Sequence, residues 1–285
     1  MKSAAKARPA DRESTEFTFT AEDFRFISGL VHRHSGIVLG PNKESMVYAR
    51  LSRRLRELGM THFEDYCDLI QSAEGGAEFL AFSNAMTTNL TRFFREQHHF
   101  DYLADVVIED QRQVSANRRL RIWSAGCSSG EEPYSIAMTL REAMPDLARW
   151  DAKILATDLD TNMIMRGSQG AYPGDSLDDV PAAKRDRYFS QTEAGFKAKE
   201  SLRELIAFKP LNLLHPWPVK GPFDVIFCRN VMIYFDTPTK TDLVRRFAKL
   251  LRPGGWLIVG HSETLLDQKA LFKLCGRTIY RKVGS

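Results

Sequence analysis

The chain has 285 residues, of which 43% are hydrophobic and 27% charged, with a net charge of +4; this is the balance of a soluble globular protein long enough for two domains and a full core. No apolar run approaches the ~18 residues of a membrane span, and the opening MKSAAKARPADRESTE lacks the apolar stretch of a signal peptide, so a cytoplasmic protein with no direct membrane insertion is expected. Cys67, Cys127, Cys228 and Cys275 form no CxxC pair, which predicts free thiols; His32, His34, His98 and His99 lack a second ligand set, read as partly exposed helix residues, and lead us to expect no metal.

Residues 1 to 16 are polar and aperiodic, which predicts a disordered leader. Thr20 with Asp23 has the pattern of a helix N-cap, Phe24, Ile27, Leu30 and Val31 form an apolar stripe, and Gly36 ends the segment. A second helix runs from about Lys43 to Leu58 and stops at Gly59. Thr61 with Glu64 has capping-box spacing for a third helix through Ile70, and Gly75 and Gly76 break the chain before a fourth beginning near Ala77. Residues 17 to 88 are thus expected to form a small N-terminal all-α domain, followed by a connector over 89 to 100.

The second helix concentrates charge. At about 100° per residue, Val47, Leu51, Leu55 and Leu58 fall within roughly 80° of one another and should face the core. Arg50, Arg53 and Arg56 fall opposite, while Arg54 borders the apolar face. From Lys43 to Glu57 there are five basic residues against two acidic ones, whereas every ionised residue from Thr61 to Met86 is acidic. Basicity is therefore focused on one helix rather than spread as a coat.

After Phe100 strand-like and helical runs alternate: LRIWSAG, a helix to about Ala143, KILATDLD, a short helix, FDVIFCRNV, a helix from Lys240 to Leu251, GGWLIVGHS, and a last strand near Thr278 to Arg281. This predicts a doubly wound α/β domain over residues 101 to 285 with a mostly parallel sheet covered on both faces. A ligand should sit at the carboxyl ends of the strands, where Gly126, Asp158, Arg229 and Asn230 fall. Within 188 to 211, Phe196 and Ala198 alternate with lysines and Ile206 and Phe208 alternate again, which predicts a small inserted antiparallel β-subdomain.

In RIWSAGCSSGEEPYSIA (Arg121 to Ala137) a strand enters a small-residue turn and then an acidic helix start, the form of a nucleotide-cofactor loop in which Gly126 and Gly130 let the backbone bend and approach a ligand. The turn has no GK[ST] lysine, and Glu131 and Glu132 would repel a triphosphate. A phosphate-free, cationic cofactor such as S-adenosylmethionine fits better. Taken alone, the turn reads equally well as an ordinary glycine turn. Asp158, ending the second strand, can accept both ribose hydroxyls of an adenosine, or it can cap the helix that follows.

Together these segments resemble the chemotaxis protein methyltransferase (CheR) family. The resemblance rests on TTNLTRFFRE (Thr87 to Glu96), GEEPYSIA (Gly130 to Ala137), TDLD (157 to 160), NLL (Asn212 to Leu214), FDVIFCRNVMIYF (Phe223 to Phe235) and GHSE (Gly260 to Glu263). Blocks in this order are far more specific than one glycine turn. The resemblance implies a Rossmann-like class I methyltransferase fold and transfer of a methyl group from S-adenosylmethionine to glutamates on the cytoplasmic helical bundle of methyl-accepting chemotaxis receptors, leaving glutamate methyl esters and S-adenosylhomocysteine. It further implies that Asn89, Thr91 and Arg95 close over the cofactor, that Glu132, Asp158, Asn212, Leu213, Arg229 and Asn230 contact it alongside the Gly126 turn, and that Arg95 and Tyr234 lie nearest the transferred methyl. Without the family, Arg95 reads as a surface ion pair with Glu96 or a neighbour and Tyr234 as a core aromatic beside Phe235.

The chemistry suits those roles. A glutamate side chain is ionised at neutral pH and needs alignment more than a base. An arginine fork and a tyrosine hydroxyl can hold it in line. The resemblance also places the Arg50, Arg53 and Arg56 helix beside the active site, as a docking face for the acidic receptor bundle. The loop from Ser190 to Gly195 looks shorter than in relatives that grip a receptor tether by adding it as a strand, so no tight tether binding is expected. RNVMIYF is not the Asn/Asp-Pro-Pro-aromatic motif of DNA amino-methylation, and no aromatic-basic interleaving appears outside the one helix, so no nucleic-acid partner is expected. A monomer is expected; a methyltransferase with another substrate and a cofactor-sensing adaptor without turnover are the rival readings.

Overall fold

Thr20 and Asp23 start the first helix, α1 (Ala21–Ser35), by capping one another: the Asp23 amide donates to Thr20 Oγ1 at 3.1 Å and the Thr20 amide to Asp23 Oδ2 at 2.8 Å. The computed structural model describes residues 16–72, 76–265 and 268–284; most of the expected leader lies outside them, and its last residue, Glu16, pairs with Arg56 at 2.8 Å. The chain divides into two units, one up to Leu30 and from Leu39 to Met86, the other Val31–Val38 and from Thr87 onward.

In the first unit α2 (Glu44–Leu58) ends on Gly59, whose φ of 67° is the left-handed cap that glycine adopts without strain. Helices α3 (Phe63–Gln71) and α4 (Gly76–Met86) follow. The Thr61 and Glu64 capping box does not form, because His62 is the N-cap of α3; this makes Glu64 the second helical residue, one short of the position that reaches back. Val47, Leu51, Leu55, Phe63, Tyr66 and Phe82 fill the core. Leu58, expected on the buried face, is 40% exposed, since the helix runs out one residue later. Arg54 and Tyr66 converge on the buried Glu78, with Arg54 Nε at 2.9 Å and the Tyr66 hydroxyl at 2.8 Å.

The second unit is the expected α/β domain. A helical run made of α5 (His98–Tyr102), a π turn (Leu103–Val107) and α6 (Ile108–Val114) leads into β1 (Arg119–Ala125), α7 (Glu131–Ala143), β2 (Asp151–Asp158) and α8 (Thr161–Gln169). After β3 (Ala171–Tyr172) come α9 (Ala182–Tyr188), β4 (Phe189–Thr192), β5 (Gly195–Ala198), α10 (Glu200–Arg203) and β6 (Ile206–Pro210). The chain closes with β7 (Phe223–Cys228), α11 (Thr237–Leu250), β8 (Leu251–Val259), β9 (Phe272–Gly276) and β10 (Ile279–Lys282). Helix α11 starts earlier than expected because Asp236 caps it, accepting the Thr239 amide, with a proline in the first turn where a missing N–H is harmless.

The main sheet has the order β6-β2-β1-β7-β8-β10-β9. The five strands β6 to β8 in that order are parallel, and β10 and β9 run antiparallel at the edge. Period-two alternation splits the core: Leu120, Ile122, Val225 and Phe227 face one side, while Trp123, Ile226, Phe247 and Leu257 pack on the other.

The inserted subdomain is a three-stranded antiparallel sheet of order β3-β5-β4, and its bounds differ from 188 to 211. Ile206–Pro210 leaves it and pairs parallel with β2, Ile154 to Asp158 against Ile206 to Pro210. The short alternation there marks a half-covered edge strand, which periodicity alone does not distinguish from a hairpin strand. Its place is taken by Ala171–Tyr172, a two-residue strand too short to carry a pattern. No helix among the described residues is long and apolar enough to cross a membrane.

Candidate active site

The chain leaves β1 toward β2 and β6 on one side and returns to β7 and β8 on the other, so a crevice opens at the carboxyl ends of β1, β2 and β7. The register places Ala125 beside Thr157, and the next two amides, of Gly126 and Cys127, both donate to the Thr157 carbonyl at 2.8 and 2.9 Å. Gly126 has φ +84°, and a Cβ there would lie 2.3 Å from Val231 Cγ2. Ser128 follows at φ 49°; its amide donates to Asp158 Oδ2 at 2.7 Å and its hydroxyl to the Asn89 carbonyl at 3.1 Å.

Asp158 was open to two readings, and the helix cap is not its role. Asp160 caps α8, accepting the Asn162 and Met163 amides, and also takes Asn89 Nδ2 at 2.7 Å and Thr87 Oγ1 at 2.9 Å. Asp158 accepts one amide on each oxygen, Ser128 at 2.7 Å and Asp160 at 2.9 Å, so each oxygen keeps a lone pair for a ligand. Burial pushes its carboxyl up to about 6, against the pull of those amides.

Arg229 ties the crevice wall together. Its side chain is 2% exposed and lies 3.1 Å from Glu132 Oε2 and 3.6 Å from Glu96 Oε2; it also donates to the Arg95 carbonyl and sits 5.5 Å over the Phe100 ring. Glu132 takes the Ser124 hydroxyl at 2.7 Å on its other oxygen, and burial raises its carboxyl despite the arginine. Asn230 has φ 59°, a conformation Asn tolerates better than most residues. One carboxylate holds this turn: Glu263 accepts the amides of Gly260 (2.6 Å), Asn230 (2.8 Å), Val231 (3.0 Å) and Ile233 (3.2 Å). In the sequence Glu263 stands only as the end of GHSE, and its one signal is an acid three residues after the glycine that follows β8.

Glu96 was also missed. Burial raises its carboxyl, but the hydrogen bond from His261 and the charge of Arg229 outweigh this and leave it below its ordinary range. His99, expected to be partly exposed, is fully buried, and burial together with Arg229 pushes its imidazole down to about 3. It is a neutral ring at physiological pH.

A cavity opens in the crevice. Asn89, Thr91, Arg95, Gly126, Glu132, Asp158, Asn212, Leu213, Arg229, Asn230 and Tyr234 all line it, together with Ser35, Ile37, Leu159 and Leu211, which sequence did not point to. Some of these shape the wall through protein contacts. Asn212 Nδ2 donates to the His34 carbonyl at 2.6 Å and its Oδ1 accepts the Leu214 amide at 2.9 Å. Arg95 does not pair with Glu96; its Nη1 donates to the Leu90 carbonyl at 2.8 Å. Tyr234 both lines the cavity and packs on the Trp123 side of the core.

On the helix α2, Arg50 is half-buried and donates to the Ala85 carbonyl at 3.2 Å. Arg53 and Arg56 have side chains 79% and 55% exposed and pair with Glu57 at 3.1 Å and Glu16 at 2.8 Å.

The donor set fits S-adenosylmethionine: the buried Asp158 carboxylate for a diol, adjacent backbone amides, and no lysine among the lining residues. A mostly parallel seven-stranded sheet with this crevice is the fold of class I S-adenosylmethionine-dependent methyltransferases. Residues 89–281 match the CheR methyltransferase SAM binding domain and residues 22–87 the CheR methyltransferase all-alpha domain, and the chain belongs to the CheR methyltransferase family. It is 46% identical to chemotaxis protein methyltransferase 2 of Pseudomonas aeruginosa over 273 residues, covering 93% of this chain and 94% of that protein. It is 45% identical to the chemotaxis protein methyltransferase of Escherichia coli over 266 residues, covering 90% of this chain and 89% of the relative.

Proposed function

We propose that the protein transfers a methyl group from S-adenosylmethionine to side-chain carboxylates of glutamates on the cytoplasmic helices of methyl-accepting chemotaxis receptors, leaving methyl esters and S-adenosylhomocysteine. The observation that carries this reading is the presence of Arg95 and Tyr234 on the same cavity as Asp158 and Glu132. When bound, S-adenosylmethionine supplies a methyl group on a sulfonium. The acceptor glutamate is ionised at neutral pH and is the nucleophile without deprotonation. Arg95 uses one N–H on Leu90, and a guanidinium has five in a planar fork. The remaining donors, with the Tyr234 hydroxyl, can hold the acceptor oxygen at about 3 to 3.5 Å from the methyl carbon. The Glu132 and Arg229 pair cancels its own charges, so the wall stays dry without adding a net charge to the reacting centre.

Docking is assigned to the exposed α2 arginines, Arg53 and Arg56, with Arg50 behind them; their charge suits an acidic helical bundle. The β4 to β5 hairpin has a two-residue turn, with Thr192 paired to Gly195, and tight capture of a receptor tether is not part of the proposed function. Labelled S-adenosylmethionine incubated with receptor cytoplasmic fragments should give base-labile label on glutamates. Tyr234→Phe should lower turnover by about tenfold or more while leaving the melting temperature near the parent's. Label on nucleic acid or on no receptor fragment, or a Tyr234→Phe variant with parental turnover, refutes the reading.

A further inference from the structure

Glu96, His98 and His99 each bring a ligand-type atom to within 4.8 Å of the others, and hydrogen bonding fixes what those atoms offer. His99 Nε2 lies 3.2 Å from the Arg277 carbonyl and 3.0 Å from Thr278 Oγ1. A carbonyl can only accept, so Nε2 carries the proton and Nδ1 presents a bare lone pair. That Nδ1 lies 3.5 Å from Glu96 Oε2. Both atoms are buried, as is His98 Nε2, and none of the three makes a hydrogen bond among the described residues. The two electron-rich atoms His99 Nδ1 and Glu96 Oε2, 3.5 Å apart in a buried site, repel unless a positive centre lies between them.

The surroundings are those of ligand-holding groups. An imidazole whose second N–H is donated to a backbone carbonyl is fixed in tautomer and ring orientation, as metal-bound histidines are. Glu96 is steadied on its other oxygen by His261 Nδ1 at 3.0 Å and Asn230 Nδ2 at 3.4 Å. Arg229, 3.6 Å from Glu96 Oε2, opposes a cation, but Glu132 at 3.1 Å already matches its charge. Two carboxylates around one guanidinium leave the cluster net negative. Two imidazole nitrogens with one carboxylate oxygen form a donor set typical of zinc.

We propose that Glu96, His98 and His99 bind a zinc-class divalent cation, two nitrogens and one oxygen from the protein being completed by water. Tetrahedral zinc holds its ligand atoms roughly 3.4 Å apart, so binding draws the cluster inward and stiffens the turn after Arg95, where Glu96 has φ 60°.

The test uses full-length, tag-free protein stripped by a chelator. Zn²⁺ titrated calorimetrically should bind one per chain and raise the melting temperature, and Co²⁺ should give the intense visible absorption of a four-coordinate ion. Glu96→Gln and His98→Gln should each weaken Zn²⁺ binding at least tenfold, with His98→Gln melting near the stripped parent, which separates lost ligation from lost folding. Absence of a Zn²⁺-dependent shift in the parent, a six-coordinate Co²⁺ spectrum, or parental Zn²⁺ affinity in both variants overturns the assignment.

Discussion

At Asp158 burial acts against the ribose-binding role proposed for it. Its carboxyl is pushed from 3.8 up to about 6, so between roughly pH 4 and 6 the folded chain binds the proton more tightly than the unfolded one. The sign follows: this residue favours the fold most at acid pH, and its contribution falls as pH rises through 6, a cost on the order of 3 kcal/mol at neutrality. Ribose hydroxyls need the ionised form as acceptor. Affinity for S-adenosylhomocysteine should therefore drop as pH falls below about 6, and Asp158→Asn should bind about ten- to a hundredfold more weakly at pH 7.5 without that step. Calorimetry from pH 5 to 8 checks this, and an Asn variant that keeps the step removes Asp158 from the ribose site. That an acid belongs at the end of β2 was legible in TDLD. Which of its two aspartates caps α8 was not, because the choice depends on where the Ser128 amide arrives from the neighbouring strand.

Among the elements, the β1 to α7 turn is held by backbone geometry more than by side chains. Gly126→Ala meets two obstacles, φ +84° and Val231 Cγ2 at 2.3 Å, and should destabilise by about 2 to 4 kcal/mol while weakening cofactor binding. Adding Val231→Ala relieves the contact but not the backbone strain, so the double variant should recover part of the melting temperature. Gly59→Ala serves as the contrast: φ is +67° with nothing within 4 Å of the new Cβ, and only about 1 kcal/mol is expected, with unchanged cofactor affinity. Differential scanning calorimetry of the three variants decides; equal losses for Gly126→Ala and Gly59→Ala would mean that Val231 yields freely. Helices α1, α2 and α7 and strands β1, β2, β7 and β8 could be read from caps, glycines and period. Strand β6 was not legible because it is decided by a partner distant in sequence, β2 beside Ile206–Pro210, whereas the α3 cap and the start of α11 turn on local capping at His62 and Asp236.

For the molecule as a whole, the proposed function makes charge the term to test in docking on an acidic receptor. Arg53 and Arg56 are the α2 arginines whose exposure suits docking, since Arg50 is held at the Ala85 carbonyl. Their pairs with Glu57 and Glu16 are surface pairs worth about 0 to 1 kcal/mol each. Reversing both to glutamate should leave cofactor affinity unchanged, shift the melting temperature only slightly, slow receptor methylation about tenfold or more at low salt, and flatten its salt dependence. A double variant that methylates at the parental rate in low salt would make α2 an ordinary solvated face.

By itself the sequence determined what acts through neighbours along the chain: the α1 cap, the α2 stop at Gly59, the alternating buried strands and the glycine turn, while the cofactor followed from the ordered motif blocks rather than from that turn alone. Tertiary structure decided what rests on pairing between distant segments. Glu263 gathers four amides from residues 230 to 233 and 260; Arg229 joins Glu132 to Glu96 and the Arg95 carbonyl; and His99 is buried against Arg277 and Thr278 with one nitrogen turned to Glu96. A carboxylate or an imidazole has the same local preferences in each setting, and only the approach of remote segments determines whether it caps a turn, bridges an arginine or is buried with one nitrogen outside any hydrogen bond among the described residues.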